Sequence, residues 1–489
     1  MTTDTDQFPI AIVGAGFAGL GMAVELQNAG IDSFTIYEAA SEVGGTWREN
    51  TYPGCACDIP SHLYSFSFEL NPHWSRAYSP QPEIQRYLVD CAQQYDLYSK
   101  IQFETRIERA EFDEERGLWT LVDGVGDQFT ARALVLGVGG LREPNIPNIQ
   151  GLNDFEGPHF HSARWDHDVD LQGKRVGVVG TGASGVQIVP AIADEVDELT
   201  VFQRTPPWVL PRNDRQYTFL EKALFSAVPG LQRAYRAMLY WFHEARGAGF
   251  VSAPRLMELF QTFGRRFIEH SFDDPQLRQK VTPDYTMGCK RVLFSDDYYQ
   301  TLGRDDVHLV DRAVDRFRAD SVVDAGGDEH QLDAVVFATG FQIHDFLSHI
   351  DISGRDGRNL NEEWSDGSEA YFGVAVHGFP NLFMLIGPNS GLGHNSIVFM
   401  IEAQTHLIRQ ALQTIADEGA TSMEVRPAAQ RNFNRSVQQR MGDTVWKSGC
   451  DSWYLDDDGT NRTLWPGYTA EYWLRTRNLE RDDFRLTWR

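Results

Sequence analysis

The sequence predicts an α/β protein with two Rossmann-like dinucleotide-binding domains and a helical insertion in the second. Three observations carry that expectation. Two segments read strand, glycine turn, helix, strand: FPIAIVGAGFAGLGMAVELQNAGIDSFTIYEAA from Phe8, and KRVGVVGTGASGVQIVPAIADEVDELTVFQRTP from Lys174. Short apolar runs ending in glycine-rich turns recur as ALVLGVGG (133–140), AVVFATGFQ (334–342) and NLFMLIGPNS (381–390), the pattern of further buried strands. Between about 214 and 285 the chain becomes aromatic and helical, centred on FSAVPGLQRAYRAMLYWFHEA. The first domain is expected over 1–145 and again over 336–489, and the second over 146–335 with its insertion at about 214–285. The 489 residues are enough for two or three domains with their own cores.

In the first unit Gly14, Gly16 and Gly19 form GxGxxG directly after a strand. The first glycine permits the tight turn, the second lets backbone approach a pyrophosphate, and the third lets helix pack on strand. The helix N-terminus then offers free N–H groups and a positive dipole end to phosphate. Glu38 closes the following strand, 19 residues after Gly19, where a carboxylate accepts ribose hydroxyls. This is the expected FAD site.

In the second unit Gly180, Gly182 and Gly185 repeat the fingerprint, with Ser184 inside it. Its second strand closes on Gln203, Arg204 and Thr205, with no acid among them. A carboxylate there would repel a 2′-phosphate, whereas Arg204 would pair with one, so the expected cofactor is NADPH rather than NADH. Two such sites imply hydride transfer from nicotinamide to flavin. The glycines leave the final acceptor open among a disulfide, a quinone and dioxygen.

The formal charge is −25, which opposes non-specific binding to nucleic acid or anionic lipid. No apolar run reaches bilayer length, so no membrane insertion is expected, and the aromatic stripe of the insertion reads as core or pocket wall. The polar N-terminus MTTDTDQ is unlike a secretory signal. Five cysteines, Cys55, Cys57, Cys91, Cys289 and Cys450, read as reduced thiols in a cytoplasm, with Cys55 and Cys57 lining a turn. A redox role for the Cys55/Cys57 pair is the competing reading, tested by thiol titration after NADPH reduction. His394, in SGLGHNS, has no second His or Cys at ligand spacing, so no metal is expected. No GxSxG element supports an esterase.

Between the fingerprints, FEGPHFHSARWD places Phe155, Gly157, His161, Trp165 and Asp166 in the pattern FxGxxxHxxxW followed by Pro or Asp. This resembles the fingerprint of type I Baeyer–Villiger monooxygenases. Three further stretches agree. GGTWRENTYPGCACD carries Thr46, Trp47, Tyr52, Pro53, Gly54 and Asp58; GCKRVLFSDDYYQ carries Lys290 and Arg291; and CDSWYLDDDG carries Trp453, which matches a mobile-loop tryptophan. The resemblance spans about residues 8 to 470. YLDDDGTNRTLWPG, after Trp453, departs from the cyclic-ketone enzymes and is closer to the hydroxyacetophenone monooxygenase-like branch.

The resemblance implies that NADPH reduces FAD, that reduced flavin adds dioxygen at C4a, and that the peroxyflavin attacks a ketone to give an ester or lactone. Sulfide oxidation would be a side activity, and an N- or S-oxygenating flavin-containing monooxygenase is the alternative. It implies Arg291 as the fixed cation beside the flavin and Asp58 as the group that holds it. Thr46, Trp47 and Asp58 would join the FAD site. Ser184, Thr205 and Lys290 would join the NADPH site, with Lys290 beside Arg204. Phe155, Gly157, His161 and Trp165 would couple nicotinamide binding to domain rotation. Partners are then a ketone and O2. The oligomeric state is not readable, nor is the ketone.

Overall fold

The computed structural model describes residues 8–343 and 347–488. Two five-stranded parallel sheets organise it. In the first, Ile10–Val13 lies between Phe34–Tyr37 and Ala133–Leu136, extended by Ile101–Gln102 on one edge and Leu382–Met384 on the other. Ile10–Val13 is buried at every position, as an apolar strand covered on both faces must be. In the second, Arg175–Val179 lies between Glu198–Phe202 and Ala334–Phe337, with Val307–Val310 and His159–His161 outside them. Each glycine turn therefore leaves the carboxyl end of a central strand at the point where strand order reverses. That is where open parallel sheets bind ligands. The fold is α/β with two Rossmann-like units.

The chain leaves the first sheet after Leu136, builds the second, and returns to pair Leu382–Met384 with Ala133–Leu136. The outgoing and returning crossovers are tied to each other. Asn145 N–H donates to Gly340 O at 2.9 Å, Gln342 N–H donates to Glu143 O at 2.9 Å, and the Thr339 hydroxyl donates to Asn145 O at 2.6 Å. Two chain segments thus cross side by side between the sheets, and further contacts such as Tyr52–Gln187 and Asp58–Arg291 also join the two units.

Helices Phe219–Ala227, Leu231–Arg246, Leu256–Ser271 and Pro275–Val281 follow the second sheet's Glu198–Phe202 strand. The first begins with a capping box in which Thr218 and Glu221 satisfy each other's backbone N–H. The aromatic stripe is not all core, contrary to the sequence expectation. Tyr240, His243 and Glu244 are buried, but Met238, Trp241 and Phe242 are 57%, 61% and 59% exposed. The helix docks through its polar contacts: the Tyr240 hydroxyl meets the Thr469 hydroxyl at 3.0 Å, and Glu244 accepts from Thr469 and Ala470. Its larger aromatics lie on the opposite side. Among the described residues no helix is long and apolar enough to cross a membrane.

The expectation of five reduced thiols is also corrected. Cys289 and Cys450 form a disulfide across a sequence separation of 161, while Cys55, Cys57 and Cys91 are free and buried. Spacing along the chain could not show this, because the bond joins two distant segments. It fastens the residue before Lys290 to the loop before Trp453. Denatured protein alkylated without reductant should therefore expose three thiols, and five after reduction. Mass spectrometry counts them, and five in both samples would remove the bond. Cys450→Ser should lower unfolding stability by about 2–5 kcal/mol, read by denaturant melts.

Candidate functional site

The two glycine turns are built alike. Gly14 and Gly180 sit at φ +100° and +108°, where a side chain is strained. A Cβ on Gly19 would lie 1.8 Å from Gly14 O, and one on Gly185 2.2 Å from Gly180 O. The third glycine of each motif is thus fixed by helix–strand contact. The second behaves differently. A Cβ on Gly182 would meet nothing within 4 Å, and one on Gly16 nothing nearer than 3.5 Å. That open space lies at the N-terminus of helices Phe17–Asn28 and Ala183–Ile192, and no side chain caps either. Uncapped N–H groups facing a cradle without side chains fit a pyrophosphate at both turns.

Glu38 accepts hydrogen bonds from Ala15 N–H at 2.6 Å and Ala40 N–H at 2.8 Å. The carboxylate is thereby fixed beside the first turn with acceptor positions left for a ribose. Gly44 N–H donates to Ala15 O at 3.0 Å, which carries the turn directly into Thr46 and Trp47. Both of these line a cavity of about 900 Å³, large enough for extended ligands. Its wall also carries Asp58, Gly180, Gly182, Ser184, Arg204 and Thr205, and further along Lys290, Arg291 and Trp453. Sequence elements as far apart as Thr46 and Trp453 thus face one space. Lys290 is half-buried over the Tyr285 ring; burial, and to a smaller extent the positive charge of Arg204, lowers its pKa while Asp451 opposes that. Lys290 and Arg204 thus bring two positive charges to the same wall of the cavity.

Arg291 donates to Asp58 Oδ2 through Nε at 3.0 Å and a terminal nitrogen at 2.5 Å. Its side chain is 34% exposed, and that surface opens into the cavity. The Asp58 charge raises the Arg291 pKa further, against burial. Tyr454, fully buried and next to Trp453, lies beside this guanidinium; burial raises its hydroxyl to about 12, so it stays neutral and faces Arg291 as an acceptor. Cys55 is raised to about 12 and Cys57 is raised too, both mainly by burial. Thiols held protonated are poor nucleophiles, which counts against the redox-pair reading.

The Phe155–Trp165 stretch does not line the cavity. Phe155 packs in a cluster with Phe202, Phe317 and Phe337. Gly157 is required because a Cβ would lie 2.5 Å from Asp333 O and 2.7 Å from the Phe155 ring. His161 ends an edge strand paired to Val335–Phe337; its Nδ1 accepts from Ala163 N–H at 3.1 Å. Its ring lies 5.8 Å from Phe341 and beside the Gly340 backbone, so it sits against the returning crossover. Trp165 packs edge-on against Phe160 at 5.0 Å. Beyond it, His167 meets the Thr51 hydroxyl at 2.8 Å and Arg164 reaches Glu49 at 2.9 Å.

Some contributors were not singled out from the sequence. Gln187, on the second glycine helix, accepts from the Tyr52 hydroxyl at 3.0 Å and donates to Ala56 O at 2.9 Å. A Cβ on Gly54 would lie 2.5 Å from Gln187 O, which explains why the Tyr-Pro-Gly turn needs its glycine. Tyr454 gave no signal beyond its place beside Trp453. Nor did Arg246, which enters a recess next to Arg291.

A family model described as pyridine nucleotide-disulphide oxidoreductase matches residues 11–221. A Baeyer–Villiger monooxygenase of Pseudomonas aeruginosa is 46% identical over 480 residues, covering 98% of this chain and 91% of that protein. Among solved structures, cyclohexanone monooxygenase from Rhodococcus sp. Phi1 bound to NADP+ superposes with a TM-score of 0.89 at 29% identity, covering 99% of each chain. The OTEMO complex with FAD and NADP gives 0.87 at 28% identity, covering 98% of this chain and 99% of that one.

His62, His161 and His243 are each lowered to about 4, mainly by burial. Unfolded, each would titrate near 6.5. The unfolded chain therefore binds more protons between those values, and stability must fall as pH drops from about 6.5 towards 4. Above 6.5 these groups contribute no pH dependence. Thermal melts from pH 8 to 4.5 should show a plateau and then a decline beginning near 6.5. A melting temperature that rises through that window would contradict the burial of these rings.

Proposed function

The chain belongs to the Baeyer–Villiger monooxygenases, and from that premise we propose how its own residues carry the reaction. Ketone, O2, NADPH and a proton give an ester or lactone, NADP+ and water. FAD, when bound, takes the reducing equivalents of NADPH and activates dioxygen. The protein supplies placement, charge and exclusion of water.

Gly14, Gly16, Gly19 and Glu38 hold the pyrophosphate and ribose of FAD, with Thr46, Trp47 and Asp58 along its length. Gly180, Gly182, Ser184, Gly185 and Thr205 hold NADPH, and Arg204 with Lys290 takes the 2′-phosphate. Two dinucleotide-binding domains, 1–145 with 336–489 and 146–335, move about the paired crossovers. His161 senses that motion because it ends an edge strand of the second sheet and packs on the returning crossover.

The observation that supports the chemistry is Arg291, held by Asp58 in the cavity wall. An oxygen nucleophile must keep its negative charge to attack a carbonyl. An arginine stays protonated at any working pH and can donate to such an oxygen without giving up its proton. Asp58 fixes the guanidinium plane through Nε and one terminal nitrogen, which leaves the remaining donors for the reacting oxygen. A unit-charge contact at ~4 Å and effective dielectric ~20 is about 4 kcal/mol, roughly a thousandfold in rate when realised only in the reactive state.

Arg291→Ala should keep its FAD and still oxidise NADPH, but form ester about a thousandfold more slowly. Product mass from a ketone panel under ¹⁸O₂ measures it, and normal ester yield would remove Arg291 from the chemistry. Arg204→Ala should lower kcat/KM for NADPH roughly ten- to hundredfold and change NADH little. Equal loss with both cofactors would contradict the phosphate assignment.

A further inference from the structure

Beside the main cavity lies a recess of about 50 Å³ that shares Asp58, Arg291, Phe294 and Leu392 with it. The rest of its wall is largely apolar, including Phe250, Met257 and Phe260. Besides Arg291, which is paired with Asp58, a second cation enters it: Arg246, at the last turn of the helix Leu231–Arg246. Its guanidinium carbon lies 5.4 Å from the Phe294 ring centroid and 5.7 Å from that of Phe242. Among the described residues nothing hydrogen-bonds to it and no carboxylate pairs with it. Burial lowers its pKa, as it must for a charge without a counter-ion.

The nearby carboxylates are committed elsewhere. Asp58 gives Oδ2 to two donors of Arg291. Glu244, two residues before Arg246 and so on another side of the helix, accepts from Asn395, Thr469 and Ala470 and lies 3.6 Å from His394. The titratable groups nearest Arg246 in charge, Tyr78 and His243, are not anions: burial raises the Tyr78 pKa and lowers that of His243 to about 4. The recess therefore presents a net positive charge among apolar side chains, a costly arrangement unless an anion completes it. The nicotinamide cofactor's phosphates do not account for it, because the wall holding Arg204 and Lys290 does not include Arg246.

We propose that Arg246 is an anion subsite for the substrate, and that this enzyme takes ketones carrying a carboxylate on an apolar body. The inference rests on the monooxygenase reading. A water needs about 10–15 Å³ of such space, so the recess holds a few heavy atoms, the size of a carboxylate. The planar guanidinium fork matches a carboxylate in two parallel hydrogen bonds. The carboxylate sits against Arg246, the chain of the substrate runs past Phe294 and Leu392, and the carbonyl reaches Arg291. No bond changes at the subsite; it sets which end of the ketone faces the reacting centre.

The test separates binding from turnover. Calorimetry on the FAD holoenzyme with NADP+ compares 4-phenylbutyrate with 4-phenylbutyramide, neither of which is a ketone. The acid should bind roughly ten- to hundredfold tighter, Arg246→Gln should abolish the difference, and Arg246→Lys should restore part of it. Flavin content and thermal melts check each variant; if Arg246→Gln does not fold, the acid-to-amide ratio of the wild type and of Arg246→Lys decides. Equal binding of acid and amide by the wild type, or a preference untouched by Arg246→Gln, overturns the subsite. In parallel, aryl keto acids with one to four methylenes between the groups, and their methyl esters, are assayed for oxygenated product. The acids should show the higher kcat/KM at one spacing, and that advantage should vanish in Arg246→Gln. Tight acid binding with no ester from any ketone would leave the subsite standing and overturn the monooxygenase reading instead.

Discussion

The contact between Asp58 and Arg291 is the constraint on which the site depends. Asp58 follows the Tyr-Pro-Gly turn of the N-terminal segment, and Arg291 follows the helices inserted between the Glu198–Phe202 and Val307–Val310 strands of the second sheet. Their two hydrogen bonds, at 3.0 and 2.5 Å, therefore close the cavity from opposite sides. An isolated arginine at this position would be mobile and would pair with whichever anion entered first. Fixed by one carboxylate oxygen, it keeps a defined plane and still faces the cavity with its remaining N–H groups. Attraction in a partly desolvated setting strengthens the pair, but the gain is offset by desolvation, so its value is geometric more than energetic.

Contacts on both sides keep that pair in register. Gly54 presses backbone to backbone on Gln187, and Gln187 holds Tyr52 and Ala56, so the motif before Asp58 rests on the second glycine helix. On the other side Cys289 is bonded to Cys450, and the chain from there to Tyr454 returns to the Arg291 guanidinium. A shift of either sheet relative to the other thus has to move one of these contacts. The two crossovers through Asn145 and Gly340 are themselves tied by backbone hydrogen bonds. His161 packs against the returning crossover, 5.8 Å from Phe341, and does not line the cavity.

What was legible in the sequence follows from what is local. Gly14, Gly19, Gly180 and Gly185 could be read because a turn and a helix–strand approach within a few residues dictate them. The Rossmann-like fold followed from the same segments. The positions of Glu38 beside the first turn and of Arg204 in the cavity wall could be read because strand length fixes their distance from the turn. Asp58 and Arg291 entered only through a resemblance; no spacing rule links residues 233 positions apart. Tyr454, Gln187 and the Cys289–Cys450 bond were hidden for the same reason. The helix Leu231–Arg246 misled in a different way. Its aromatics suggested a core face, yet the docked face is held by Tyr240, His243 and Glu244 through polar contacts, while Trp241 and Phe242 stay largely exposed.

That inversion bears on specificity. A helix fastened by polar groups to Thr469, Ala470 and Asn395 is positioned by directional bonds, and its last turn is therefore placed accurately. Arg246 sits on that turn. The paired cation and the unpaired one thus belong to different supports, Arg291 to the Asp58 contact and Arg246 to the helix held by the Glu244 network. Changes in the helices can alter which ketone is accepted while the Arg291 site stays intact. On the proposed reading the two tasks are divided: the chemistry would rest on contacts across the cavity, and the choice of substrate on an insertion that borders it.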